Sequence, residues 1–196
     1  MSKPSREAKL ERKTAEVEIS VWVNLDGKGE AYVDTGVKFL DHLLVTIAKH
    51  ALFDLTVKAK GDLKHHVCED VALVLGEAIS KALRDRRGIR RFGFAYVPMD
   101  DSLARAAVDL GGRPYVCLDL LVDQPQVEDI RVEDLKHFFT SLAQTSKSNI
   151  HLAVIYGENS HHKIEAAAKA LAIALKDATS LEPRRENAVP SAKGVI

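Results

Sequence analysis

Apolar and polar residues alternate from Ala15 to Val23, with Val17, Ile19, Val21 and Val23 on one side and Glu16, Glu18, Ser20 and Trp22 on the other. That period of two predicts a half-buried strand. The charged segment before it, residues 1 to about 13, reads as a loose arm. Asn24–Gly29 carries an Asp-Gly turn signal, which predicts a hairpin with residues 30–34 returning as the partner strand. At Phe39 the period changes. Leu40, Leu43, Leu44, Ile47, Ala48 and Ala51 recur at three and four, the mark of an amphipathic helix. Phe53 to Ala59 alternates again, and Cys68 to Arg84 is helical, with Val71, Val74, Leu75, Ala78, Ile79, Ala82 and Leu83 on its apolar face.

The remainder repeats that order. Strands are expected at Phe94–Val97, Ala104–Leu110 and Tyr115–Val122, then a helix at Asp134–Thr145, a strand at Ile150–Tyr156 and a helix at Ile164–Ala178. Gly88–Gly93 marks the boundary. The expected organisation is a first half over residues 1–90, a second over 91–180 and a tail over 181–196, the halves packing as one structural unit.

The eight histidines make this duplication chemical. Residues 61–69 read GDLKHHVCE and residues 157–165 read GENSHHKIE, an offset of 161 − 65 = 96. Random placement would give only about a third of one His-His pair in such a chain. His42 and His137, 95 apart, each lie in the earlier helix of their half. If each HHxxE motif opens a helix, His65 and Glu69 stand one turn apart and can grip one metal ion, while His66 points aside toward a second. The second copy offers His161, Glu165 and His162 in the same way. Imidazole and carboxylate without thiolate suit manganese, iron or zinc. Cys68 lies inside the first motif, but its counterpart is Ile164, so it is expected to fill core space. His50 and His151 read as solvated or satisfied side chains rather than ligands.

Composition narrows the rest. A 46% hydrophobic and 29% charged chain of 196 residues is no disordered, collagen-like or coiled-coil protein. Twenty-eight basic side chains against 28 acidic ones give no basic excess for nucleic acid. No run approaches a membrane span, and MSKPSREAKLERKTAE lacks the apolar core of a secretory leader. Cys68 and Cys117 cannot build a disulfide framework, which points to a reduced, cytoplasmic setting.

The segments RKTAEVEISVWVNLDGKG, FLDHLLVTIAKHALFDLTVKAKGDL, HHVCEDVALVLGEA, RRFG, VDLGGRPYV, HFFTSL, GENSHHKIEAAAKALAIAL and PSAKGV together resemble the imidazoleglycerol-phosphate dehydratase family over nearly the whole chain. The resemblance implies an α+β fold, a tandem duplication of a βαβ-containing half of the ribosomal protein S5 domain 2-like type. Each half would hold a four-stranded sheet with helices on one face. It implies a hydro-lyase of histidine biosynthesis that converts imidazole glycerol phosphate to imidazole acetol phosphate. Two manganese ions per active site would bind the substrate ring as imidazolate. Carried over as metal ligands are His42, His65, His66, Glu69, His137, His161, His162 and Glu165. Glu16 matches an acidic residue near the substrate, with Glu16, Glu69 and Glu165 as the catalytic carboxylates. Arg91, Arg113, Ser191 and Lys193 match the phosphate-binding set, where guanidinium forks suit phosphate oxygens. Trimers would build a homo-oligomeric shell of 24 subunits, with the metal sites between subunits. There would be no nucleic-acid or membrane partner.

Four positions depart from the family. An Asp-Asp pair usually precedes the first His-His, whereas this chain has Leu63-Lys64 on a segment about two residues shorter. A carboxylate that orients a ligating imidazole is therefore expected to be missing. Gln is common where Thr46 stands, and an acidic residue where Lys136 stands. Two other readings fit the residues: a metal-dependent lyase or hydrolase on another small phosphate ester, and a non-catalytic assembly protein stapled by metal.

Overall fold

A computed structural model describes residues 5–185 and 188–196. The first half runs β1 (Glu7–Lys13), β2 (Val17–Asn24), β3 (Ala31–Asp34), α1 (Lys38–Ala51), β4 (Asp54–Gly61) and α2 (Lys64–Leu83). The second runs β5 (Phe92–Met99), β6 (Ser102–Asp109), β7 (Tyr115–Asp119), the two-residue strands β8 (Gln126–Val127) and β9 (Ile130–Arg131), α3 (Val132–Ser146), β10 (Asn149–Tyr156) and α4 (Ser160–Thr179). The two sheets have the same order, β1-β2-β4-β3 and β5-β6-β10-β7. In each, the third strand enters parallel to the last after a helical crossover, the βαβ unit.

Two expectations fail here. The segment before Thr14 is no loose arm from Glu7 onward: β1 pairs antiparallel with β2, from Glu7 opposite Asn24 to Lys13 opposite Glu18. It is an edge strand whose outer positions, Glu7, Lys9, Glu11 and Lys13, are charged, so it lacks an apolar run. Residues 1–4 lie outside the described range. Nor do β2 and β3 form a hairpin. β4 lies between them, and β3 pairs parallel with β4. The Asp-Gly loop instead crosses the start of β4, where Asp54 Oδ1 accepts from Lys28 N–H at 2.8 Å and Glu30 N–H at 3.0 Å.

The helices cover one face of each sheet and meet between the halves, α2 against α3 and α1 against α4. Small residues set these crossings. Gly76 of α2 abuts the Thr145 side chain and the backbone of Leu142 and Ser146 in α3, and Gly93 of β5 abuts the backbone of Ala174 and Ala178 in α4. Helix α4 packs against β5, β6 and α1 at once, which explains its buried alanines at 166, 167, 168, 170, 172, 174 and 178. The end of the chain folds back: Gly88 N–H donates to Ala188 O, and Arg91 donates to Pro190 O.

Candidate metal centres and anion cleft

Both His-His pairs sit in the first turn of a helix, α2 or α4. Asn159 caps α4, its side chain accepting from the His161 and His162 N–H groups. Leu63 gives α2 no such cap, but the neighbouring Asp62 carboxylate accepts from Leu63 N–H at 2.7 Å. Helix α1 is capped from the other half: Asp129, in the β8–β9 turn, accepts from Lys38 and Phe39 N–H at 3.0 and 2.9 Å. Lys64 donates to the same carboxylate at 3.1 Å.

The motifs exchange partners across the halves. His42 of α1 joins His161 and Glu165 of α4, and His137 of α3 joins His65 and Glu69 of α2. Within each trio the three ligating atoms lie within 4.8 Å of one another. In the first, His42 Nε2 and His161 Nε2 stand 2.9 and 3.2 Å from Glu165 Oε2. In the second, His65 Nε2 and His137 Nδ1 stand 3.6 and 3.8 Å from Glu69 Oε2. His66 and His162 belong to neither trio.

Every motif histidine is held from behind by a carboxylate. His65 Nδ1 donates to the buried Asp134 at 2.6 Å, His66 Nδ1 to Asp62 at 2.7 Å and His161 Nδ1 to Glu128 at 3.1 Å. His162 Nδ1 donates to Asp101. A carboxylate can only accept, so Nδ1 carries the hydrogen and Nε2 is left with its lone pair. The expectation that an orienting carboxylate is missing at Leu63-Lys64 is therefore corrected: Asp62 and Asp134 supply it. Asp134, Glu128 and Asp101 escaped the sequence reading because each lies at least 33 residues from its histidine.

His161 faces carboxylates from both nitrogens. A neutral imidazole has one N–H, so the second contact calls for a proton or a cation. Two trios of two imidazoles and one carboxylate, each backed by anchored rings, fit a divalent ion of the manganese, iron or zinc kind. Burial opposes the charge on Glu165, but hydrogen bonds from Lys169 and His42, together with the Lys169 charge, hold its pKa down at about 2. Lys169 Nζ stands 2.7 Å from Glu165 Oε1, a neighbour the motif reading missed although it lies one helical turn on. Hydrogen bonding to Asp62 raises the His66 pKa, and bonding to Asp101 raises that of His162. Cys68 is fully buried, and burial, then the Asp134 charge, push its thiol up to about 12, so it is core filler. His50 and His151 are exposed.

Glu16 directly precedes β2 and brings its carboxylate to 4.0 Å from His66 Nδ1, beyond hydrogen-bond reach. Arg91, Arg113, Ser191 and Lys193 line a separate cleft of about 360 Å³, which shares no lining residue with either trio. Arg91 is largely engaged there. Nε and Nη2 donate to Asp109 at 2.6 and 3.0 Å and Nη1 to Pro190 O at 2.8 Å. Thr46 is buried in α1, and Lys136 is exposed on α3.

Among the described residues no helix is long and apolar enough to cross a membrane. A model of the family described as imidazoleglycerol-phosphate dehydratase matches residues 35–175. Proteins of that name from Chloroherpeton thalassium and Chlorobium luteolum are 47% and 50% identical to this chain. The alignments cover 98% and 97% of this chain and 100% and 96% of those proteins. The crystal structure of the dehydratase from Pyrococcus furiosus superposes with a TM-score of 0.83 at 35% identity, covering 95% of this chain and 100% of that one. The Staphylococcus aureus structure gives 0.82 at 31%, covering 90% and 99%. Sequence similarity and fold agree, and the chain belongs to the imidazoleglycerol-phosphate dehydratase family.

Proposed function

We propose that this chain dehydrates imidazole glycerol phosphate to imidazole acetol phosphate in histidine biosynthesis, in the cytoplasm, with two manganese ions in each active site. One ion would rest on His42, His161 and Glu165 and the other on His65, Glu69 and His137. His66 and His162 would complete the coordination through Nε2. The observation that carries this reading is the pair of trios, each built by exchange between the halves and backed by carboxylates. Bound ions supply the positive charge that stabilises an anionic substrate ring. The rest falls to the chain. The anchored imidazoles hold their lone pairs in place, so little reorganisation precedes binding. The Glu16 carboxylate, unbonded to His66 and partly exposed, takes or delivers a proton at Oε2. Arg113 and Lys193, with the N–H groups Arg91 has left, bind the phosphate.

Two observations support a site assembled from more than one chain. The anion cleft lies beside Arg91, before β5, whereas Asp101 and the second His-His pair lie at the far ends of β5 and β10. These strands have eight residues, which at about 3.3 Å each separates the two ends by about 25 Å. A small phosphate ester cannot span that distance. In addition, the outer face of edge strand β5 exposes Phe92, Phe94 and Tyr96 where β1 shows charge. Such a patch suits self-association. The expected assembly is trimers forming a 24-subunit shell. The free thiols Cys68 and Cys117 suit the reduced cytoplasm.

Metal content tests the reading. The wild-type chain should bind two manganese ions. His42→Ala and His137→Ala should each lose one, by elemental analysis after dialysis. Wild-type protein without manganese affinity would refute the metal assignment, and metal content unchanged in both variants would refute the trios.

A further inference from the structure

The two halves anchor their second motif histidine in different ways. In the second half the anchor is Asp101, the residue directly before β6. Its carboxylate also accepts from Glu158 and Asn159 N–H, the latter at 2.9 Å, so it is firmly placed. The residue at the same place in the first half, directly before β2, is Glu16. Glu16 does not reach: its Oε2 stops 4.0 Å from His66 Nδ1.

The bond is made by Asp62, whose Oδ1 lies 2.7 Å from His66 Nδ1. Asp62 is one of the two residues joining β4 to α2. Its counterpart at the motif offset of 96 is Glu158, which gives its backbone N–H to Asp101. Each half thus has one aspartate and one glutamate at these two positions, and in each the aspartate holds the imidazole. Asp62 is itself pinned, since Oδ1 accepts from Leu63 N–H at 2.7 Å and its own N–H donates to Glu16 O at 3.1 Å. With Nδ1 as donor, the His66 lone pair is fixed at Nε2.

We infer that Asp62 is a positioning residue for His66, doing in the first half what Asp101 does in the second, and so leaving the Glu16 carboxylate free to face substrate. The inference rests on the metal reading above. It assigns the two first-half carboxylates different jobs: Asp62 acts on metal affinity, Glu16 on turnover.

Manganese binding separates them. Free Mn²⁺ is followed by its paramagnetic resonance signal during titration of metal-stripped wild-type protein, Asp62→Ala, Asp62→Asn and Glu16→Gln, with circular dichroism verifying the fold. Asp62→Ala should weaken binding about 10–100-fold, the usual effect of removing the group behind a ligating histidine. Asp62→Asn keeps an acceptor oxygen and should fall between Asp62→Ala and wild type. Glu16→Gln should bind manganese within about twofold of wild type, because its carboxylate carries none of that anchoring. The inference is overturned if Asp62→Ala binds as tightly as wild type, or if Glu16→Gln weakens binding as much as Asp62→Ala. Wild-type protein that binds no manganese would instead refute the underlying metal reading.

Discussion

Replacing Gly76 with alanine tests how closely α2 and α3 must approach to build the His65–Glu69–His137 trio. Helix propensity alone favours alanine over glycine by about 1 kcal/mol in a helix interior. Packing opposes it. A Cβ at position 76 would lie 2.7 Å from Leu142 O and 2.9 Å from Ser146 N, and would press on Thr145 Oγ1. The hydroxyl can turn away, but the two backbone atoms cannot move without moving α3. Overpacking of this kind costs about 1–3 kcal/mol, so the net expectation is a loss of about 1 kcal/mol. For a chain of this size that lowers Tm by about 2–4 °C. The displacement has a chemical signature. Glu69 lies two turns up α2 from the contact, and His137 lies on the displaced α3 at 3.8 Å from it. The α1–α4 crossing does not involve Gly76, so His42, His161 and Glu165 keep their spacing. Thermal unfolding of metal-free protein and a manganese titration should therefore show a lower Tm and one weakened ion out of two. An unchanged or raised Tm, or equal weakening of both ions, would refute the argument.

Three further expectations follow from single contacts. Asp129→Ala removes the cap that crosses from the β8–β9 turn to α1, and should lower stability by about 1 kcal/mol in denaturant unfolding; no change would mean that water replaces the cap without loss. Backbone N–H groups, first that of Lys28, hold the Asp54 pKa below its ordinary 3.8. A depressed acid adds stability above its unfolded value and loses it as pH falls through the folded value. The stability difference between wild type and Asp54→Ala should thus be constant at neutral pH and shrink below about pH 3.8, and a difference that persists in acid would contradict this. Arg113→Met should raise KM for the phosphate substrate by about 10–100-fold, as loss of a charged hydrogen bond does, with kcat less affected; an unchanged KM would remove Arg113 from the anion cleft.

What the sequence revealed was local. The HHxxE repeat was legible because both copies obey one spacing within one helical turn, and helix α1 was legible from its period. The exchange of His42 and His137 between halves was not, because tertiary packing of α1 on α4 and of α2 on α3 decides it. Strand β1 was hidden for a related reason. Its alternation of Glu7, Lys9 and Glu11 with Ala8 and Leu10 is present, but only two apolar residues carry it, and its pairing partner β2 comes later. The turn signal at Asp26-Gly27 was real as a turn and misleading as a hairpin, since the side chain of Asp54, 27 residues beyond Gly27, shapes the loop. The anchoring carboxylates divide in the same way. Asp62, four residues before His66, was within reach of spacing arguments, whereas Asp134, Glu128 and Asp101 become neighbours only in the folded chain.

The central claim is that this chain dehydrates imidazole glycerol phosphate through metal held on two histidine–glutamate trios. The most direct measurement is turnover of that substrate by metal-stripped protein, before and after adding manganese. No product should form without the ion, and imidazole acetol phosphate should appear with it. Equal turnover in both samples, or tight manganese binding with no product, would contradict the claim.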